Sequence, residues 1–209
     1  MKKTAKKTVA IVECTPIERM GLEIMLNSWP RGRLLFSARD GLEYEARCAE
    51  HGVPDLVVYN PSYRTRGPIT DIDRDEVRKV LMISCYGGFL VGQKAAQLML
   101  PRGTGSIQFT GASASVKGYP LSASFAMGKF GLRGLAQSMA RELHPQGVHI
   151  AHFVIDGGIS KGPDDPRNDR GADGLLDPDA IAETYLQVHR QHRSAWTWEV
   201  ELRPWVEKF

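Results

Sequence analysis

Lys129 is the residue with the most chemical promise in this sequence. It follows Phe125-Ala126-Met127-Gly128, and an amine buried beside such residues loses proton affinity and can act as a base near neutral pH. Asp156, in the run Asp156-Gly157-Gly158, supplies a carboxylate for one of two uses: an ion pair with Lys129, or a structural salt bridge elsewhere. His189 and His192 stand three apart on a predicted helix, the spacing of a metal pair. Metal sites normally need three protein ligands, so solvent-facing histidines are the expectation. Thr15-Pro16-Ile17-Glu18 reads as a T-x-x-E capping box with proline at the first helical position. Glu13 and Glu18 bring carboxylates to that helix start, where free N–H groups would otherwise attract a phosphate.

Short β-rich runs alternate with helical patterns, which predicts βα units around a parallel sheet. The predicted strands are Val9–Val12, Leu34–Phe36, Asp55–Tyr59, Ser106–Phe109, His149–Ile155 and Trp198–Leu202. The predicted helices are Pro16–Leu26, Gly41–Glu50, Arg74–Met99, Ser122–Leu143 and Pro178–Gln191. Leu132, Leu135, Met139 and Leu143 form a core-facing stripe, and Gly128, Gly131 and Gly134 form a small-residue face that suits a close backbone contact. Gly157 to Leu176 is an irregular stretch, a mobile lid or a surface loop. The fold class is α/β, a doubly wound and mostly parallel Rossmann-like sheet, organised as one domain over residues 1–209 with a basic disordered tail at 1–7.

Composition excludes several functions. Net charge is only +3, and no basic stripe has interleaved aromatics, so nucleic acid is not an expected partner. No run approaches the roughly 20 apolar residues of a membrane span, and Val9–Val12 is too short for a signal peptide. Cys14, Cys48 and Cys85 have neither a metal spacing nor an even framework, so a cytoplasmic location is expected and no metal.

From Val53 onward the chain resembles the short-chain dehydrogenase/reductase family. Pro54-Asp55-Leu56-Val57-Val58-Tyr59-Asn60 is similar to its fourth strand, with Tyr59-Asn60-Pro61-Ser62 at the N-N-A-G turn. Asp75 to Leu90 resembles the following long helix, Gly105-Ser106-Ile107-Gln108-Phe109-Thr110-Gly111 the fifth strand, and Ser194 to Trp205 the last strand of one bacterial branch. Phe125-Ala126-Met127-Gly128-Lys129 stands where the family has Y-x-x-x-K. The resemblance implies proton relay beside a nicotinamide: a Tyr phenol activated by Lys, a Ser orienting the substrate oxygen, and an Asn holding a water. Here the Tyr position is Phe125, the Ser position is Ala112 with Ser113 next to it, and the Asn position is Ser84. Lys129 alone matches. Ser115 also lies close to the Ser position, and Ser113, Ser122, Ser124 and Tyr119 are the nearby hydroxyls available to replace the phenol.

The amino-terminal quarter departs further. The family's T-G-x-x-x-G-x-G turn is replaced by Glu13-Cys14-Thr15-Pro16-Ile17-Glu18-Arg19-Met20, with no glycine before Gly21. Between Ala38 and Pro54 the chain is shorter than the family pattern by about 30 residues, which corresponds to one edge βα unit and one wall of the adenine pocket. Residues 8–52 also resemble the start of a response-regulator receiver, but with Asn60 at the phospho-acceptor position. Candidate cofactor positions are Arg39, Asn60, Gly111 and Gly157, for NADP or NAD if either binds, although no cofactor is the leading expectation. Expected partners are further copies of the chain or a related dehydrogenase-fold subunit. These losses imply a degenerate family member, a pseudoenzyme or assembly partner. The alternative is an oxidoreductase, lyase or isomerase with an altered site using Lys129.

Overall fold

The computed structural model describes residues 7–13, 19, 23 and 32–207. The predicted helix Pro16–Leu26 and its Thr15–Glu18 cap therefore lie outside the described residues, apart from Arg19 and Glu23. Six parallel strands form one sheet in the order β2-β1-β3-β4-β5-β6: β1 Lys7–Val12, β2 Gly32–Ala38, β3 Leu56–Tyr59, β4 Gly105–Thr110, β5 Val148–Ile155 and β6 Glu199–Leu202. Between β2 and β3 there is a single helix, α1 (Gly41–His51), so β2 is the sheet edge as the shortened sequence predicts. Lys7 corrects the expected tail: it opens β1 and pairs with Gly32.

The strands are apolar runs because both faces are covered. Val9, Ala10, Ile11 and Val12 are all at most 1% exposed. The helices have local start signals. Asp40 caps α1 by accepting from Glu43 N at 2.9 Å. Asp73 accepts from Asp75 N and Glu76 N to start α2 (Arg74–Leu81). Asp177 and Pro178 start α5 (Pro178–His189) in the same way.

The predicted helix Arg74–Met99 is interrupted. After α2, a π-helical turn spans Met82–Tyr86 before α3 (Gly87–Met99). Such turns re-aim side chains, and Ser84 lies inside this one. The long helix α4 (Ala123–Leu143) packs on β5 with Leu132, Met139 and Leu143 buried. Its glycines are largely explained within the chain. A Cβ at Gly131 would stand 2.7 Å from Cys85 Sγ, and one at Gly128 3.1 Å from Ser84 Cβ, whereas Gly134 faces open space. Residues 157–176 form an anchored surface loop: Asp165 is paired with Arg167, and Arg167 Nη2 donates to Ile159 O at 2.7 Å.

Candidate functional site

The carboxyl ends of β1, β3 and β4 meet at Lys129. Its Nζ donates to Thr110 O at 2.8 Å and lies 5.9 Å from the Phe125 ring centroid. The residue is only 2% exposed. Burial pushes its ammonium down to about 8, partly offset by the carboxylate of Glu13. Glu13 closes the end of β1 at 1% exposed and accepts from Asn60 Nδ2 at 2.6 Å. Backbone bonds fix both: Glu13 N donates to Ala38 O and Asn60 N to Val12 O. A carboxylate, an amide and an ammonium thus join three strand tips.

The other predicted residues are distributed around this cluster. Phe125 lies under the Arg64 guanidinium, 5.2 Å from its ring centroid, and Arg64 Nη2 donates to Ser122 Oγ at 3.4 Å. Ser124 Oγ donates to Thr65 O, and Gly67 N to Leu121 O, so residues 64–67 lie over the start of α4. Leu121 accommodates that crossing with φ +61°, a left-handed backbone. Ser84 is buried and uses its hydroxyl on the backbone of Tyr63, accepting from N at 3.2 Å and donating to O at 3.4 Å. Ala112 N donates to the Ser115 hydroxyl at 3.1 Å.

Asp156 does not pair with Lys129. It pairs with Lys117 at 2.8 Å and Arg203 at 2.7 Å, joining the ends of β5 and β6 to the turn after β4. Burial pushes the carboxyl up, but hydrogen bonds from Lys117 and Ser113, with both cations, outweigh it and hold the group below its usual range. Ser113 therefore faces Asp156, on a different partner from Lys129.

One group escaped sequence reasoning. His152, 0% exposed on β5, sits with Nδ1 3.1 Å from Glu199 Oε2. Glu199 also receives Arg133 Nε at 2.6 Å and Nη2 at 2.9 Å. Burial brings His152 down to about 4, with Glu199 opposing and the charges of Lys129 and Arg133 reinforcing. A signal was available: His149 and His152 are polar residues in the strand Val148–Ile155, all of which is buried, and their odd spacing puts them on opposite faces. His189 is half-buried rather than solvent-facing, and His192 lies beyond the end of α5, so the two do not share a helix face. Among the described residues, no group of three His, Cys, Asp or Glu could hold a metal ion.

The candidate nucleotide positions have protein partners. Arg39 is bound to Glu43 through Nε at 2.9 Å on the surface, and Asn60 to Glu13. Gly111 is closed against His152, because any Cβ there would overlap Nε2. Gly157 packs on Pro204. Lys129 Nζ is buried against Thr110 O and the Glu13 carboxylate stands at the end of β1, while residues 14–18, the turn that follows, lie outside the described residues.

The family model described as short chain dehydrogenase matches residues 44–161, more than half of the chain. Trans-4-hydroxycyclohexanecarboxylate dehydrogenase of Sinomonas cyclohexanicum is 32% identical over 123 residues, 56% of this chain and 47% of its own length. (+)-Borneol dehydrogenase 1 of Salvia officinalis is 31% identical over 126 residues, covering 57% and 48%. The chain thus spans about half the length of the curated relatives it matches. Among solved structures, a short-chain dehydrogenase from Rhodopseudomonas palustris superposes with TM-score 0.74 at 32% identity, covering 95% of this chain and 98% of that one. An alcohol dehydrogenase from Thermococcus sibiricus, complexed with 5-hydroxy-NADP, shares the fold with TM-score 0.76 at 16% identity, covering 96% and 86%. The receiver likeness of residues 8–52 draws no support from these relatives, and β1 and β2 take places in the common sheet.

Proposed function

Since this chain belongs to the short-chain dehydrogenase family, we propose that it is a member without ordinary NAD(P)-dependent hydride transfer, acting as an assembly partner of its own copies or of a related subunit. The observation that carries this reading is the sealed Lys129–Glu13–Asn60 cluster. Hydride transfer to or from a carbonyl needs a proton route at the substrate oxygen. The ring nearest the lysine in the Y-x-x-x-K register is Phe125, which has no hydroxyl, and the ammonium itself is spent on Thr110 O and Glu13. Glu13 does internally what a bound anion would do externally: it balances the charge at the strand tips.

Assembly is supported by an apolar surface. Met82, Tyr86 and Phe89 on one helical run, and Met127 and Phe130 on the adjacent α4, are 39–53% exposed. Contiguous apolar patches of this kind commonly mark interfaces. The second reading, an altered enzyme with Lys129 as base, is favoured by the lowered proton affinity of that amine. In that case residues 64–67 and Phe125 must move to admit a substrate.

Isothermal calorimetry with NAD(H) and NADP(H) is the test. No heat of binding up to millimolar nucleotide is expected, and micromolar affinity would refute the reading. Light scattering on the eluting protein tests the assembly half; a monomer throughout the micromolar range would remove it.

A further inference from the structure

At the opposite end of the sheet from Lys129, α4 and the segment before β6 enclose a hollow of about 300 Å³. Gln137, Ala140, Arg141 and His144 line it from the helix, and Trp196 and Trp198 from the segment. The four helical positions recur at the spacing of one face, and Ala140, the smallest, leaves room between them. The indole walls are held in place by the protein itself. Trp196 stacks on the buried His149 ring, with 4.6 Å between centroids and 3° between planes, and its Nε1 donates to Gln191 O at 3.2 Å. His144 meets Trp196 edge-on at 5.3 Å and accepts from Ile150 N through Nε2. Thr197 N donates to Gln191 Oε1 at 2.9 Å, and His149 Nε2 donates to Thr197 O at 2.8 Å. The backbone between the two tryptophans is thereby fixed.

No carboxylate lines the hollow. Arg133, whose guanidinium stands 5.5 Å from the Trp198 ring centroid, is neutralised by two hydrogen bonds to Glu199. Arg141 has no hydrogen bond or ion pair among the described residues. Arg193, 5.6 Å from the Trp196 ring centroid, has only a 3.4 Å bond to Gly103 O. The charge open to a ligand is therefore positive, and it stands beside aromatic walls. A guanidinium holds a carboxylate through two parallel N–H bonds. Flat indole and imidazole surfaces favour a ring. The volume lies at the low end of small-molecule sites, which suits one ring system rather than a nucleotide. We propose that this hollow binds a small aromatic carboxylate, its ring against Trp196 and Trp198 and its carboxylate on Arg141. Arg141 lies about 18 Å along α4 from Lys129, so the site is independent of the proposed loss of hydride transfer.

Nuclear magnetic resonance on the full chain, observing the indole N–H signals, tests it. Titration with indoleacetate should shift the Trp196 and Trp198 signals saturably and leave that of Trp205 in place. Indoleacetamide, which keeps the ring and loses the charge, should bind about tenfold or more weakly. Arg141→Gln should weaken indoleacetate by the same factor and leave the amide unchanged. Arg141 is exposed, so this variant keeps the fold. Ala140→Leu fills the hollow and should abolish binding of both compounds. No saturable shift at millimolar indoleacetate would overturn the proposal, as would equal affinity for acid and amide. Adenosine monophosphate binding more tightly than indoleacetate would overturn the ligand class.

Discussion

Acidification from pH 7 to 5 should destabilise this protein before its carboxylates titrate, and the reason is three histidines that burial holds neutral. His149 and His152 are 1% and 0% exposed, and burial takes each from the usual 6.5 to about 4. A folded-state value below the unfolded one means that the neutral ring stabilises the fold above pH 6.5. That stability is lost as pH falls towards 4, because the unfolded chain takes up the protons first. A tenfold difference in proton affinity between the two states corresponds to about 1.4 kcal/mol. Going from pH 7 to 5 therefore removes about 2 kcal/mol per histidine, and about 6 kcal/mol once the half-buried His189, also lowered to about 4, is included. That is a large share of the roughly 5–15 kcal/mol that holds a typical domain together. The carboxylates Asp156 and Glu199 are both held below their usual range, so their contributions are lost only at lower pH. Urea unfolding at pH 7, 6 and 5, followed by tryptophan fluorescence, measures the slope. His149→Gln should remove about a third of it, since the ring that stacks on Trp196 would no longer titrate. A free energy of unfolding that is flat over this interval would refute the assignment of these rings as neutral.

Gly131→Ala and Gly134→Ala should act in opposite directions. The first drives a methyl towards Cys85 Sγ and should cost about 1–3 kcal/mol, while the second, in open space, should stabilise α4 by about 0.5–1 kcal/mol in thermal unfolding. Asp156→Asn should lower stability by about 1–3 kcal/mol in urea and leave Lys117 more reactive to acylation, since the carboxylate that binds both Lys117 and Arg203 is gone. Unchanged stability would mean that the clamp between β5, β6 and the turn after β4 is dispensable.

The strands and helices are legible in the sequence because their signals are local. β-branched runs such as Val9–Val12, and caps such as Asp73 and Asp177, act within a few residues of one another. The site is legible only in part. Lys129 can be found from its register, but its partners cannot, because Glu13, Asn60 and Thr110 come from three strands separated by many residues. The π-helical turn at Met82–Tyr86 has no sequence signal, and it is what lets Ser84 bond the Tyr63 backbone. For Asp156 the sequence admits two uses, and the outcome depends on Arg203, which only the folding of the last strand brings near.

Under the proposed reading, Glu13 is the group that balances charge at the strand tips in place of a cofactor. A lysine with no counter-charge would be costly in a sheet this well covered, because desolvation disfavours the ammonium. Placing a carboxylate on the end of β1 solves that within the chain, and Asn60 fixes it. In that reading the carboxylate at the end of β1 also stabilises the charged form of Lys129. The presence of Lys129 is, on this reasoning, a consequence of charge balance rather than of catalysis. A double variant, Glu13→Gln with Lys129→Met, should then be closer to wild type in stability than either single change, because each single change leaves one buried charge uncompensated. Additive losses in the two singles would show that the two side chains ignore each other, and the charge-balance account of Lys129 would fall.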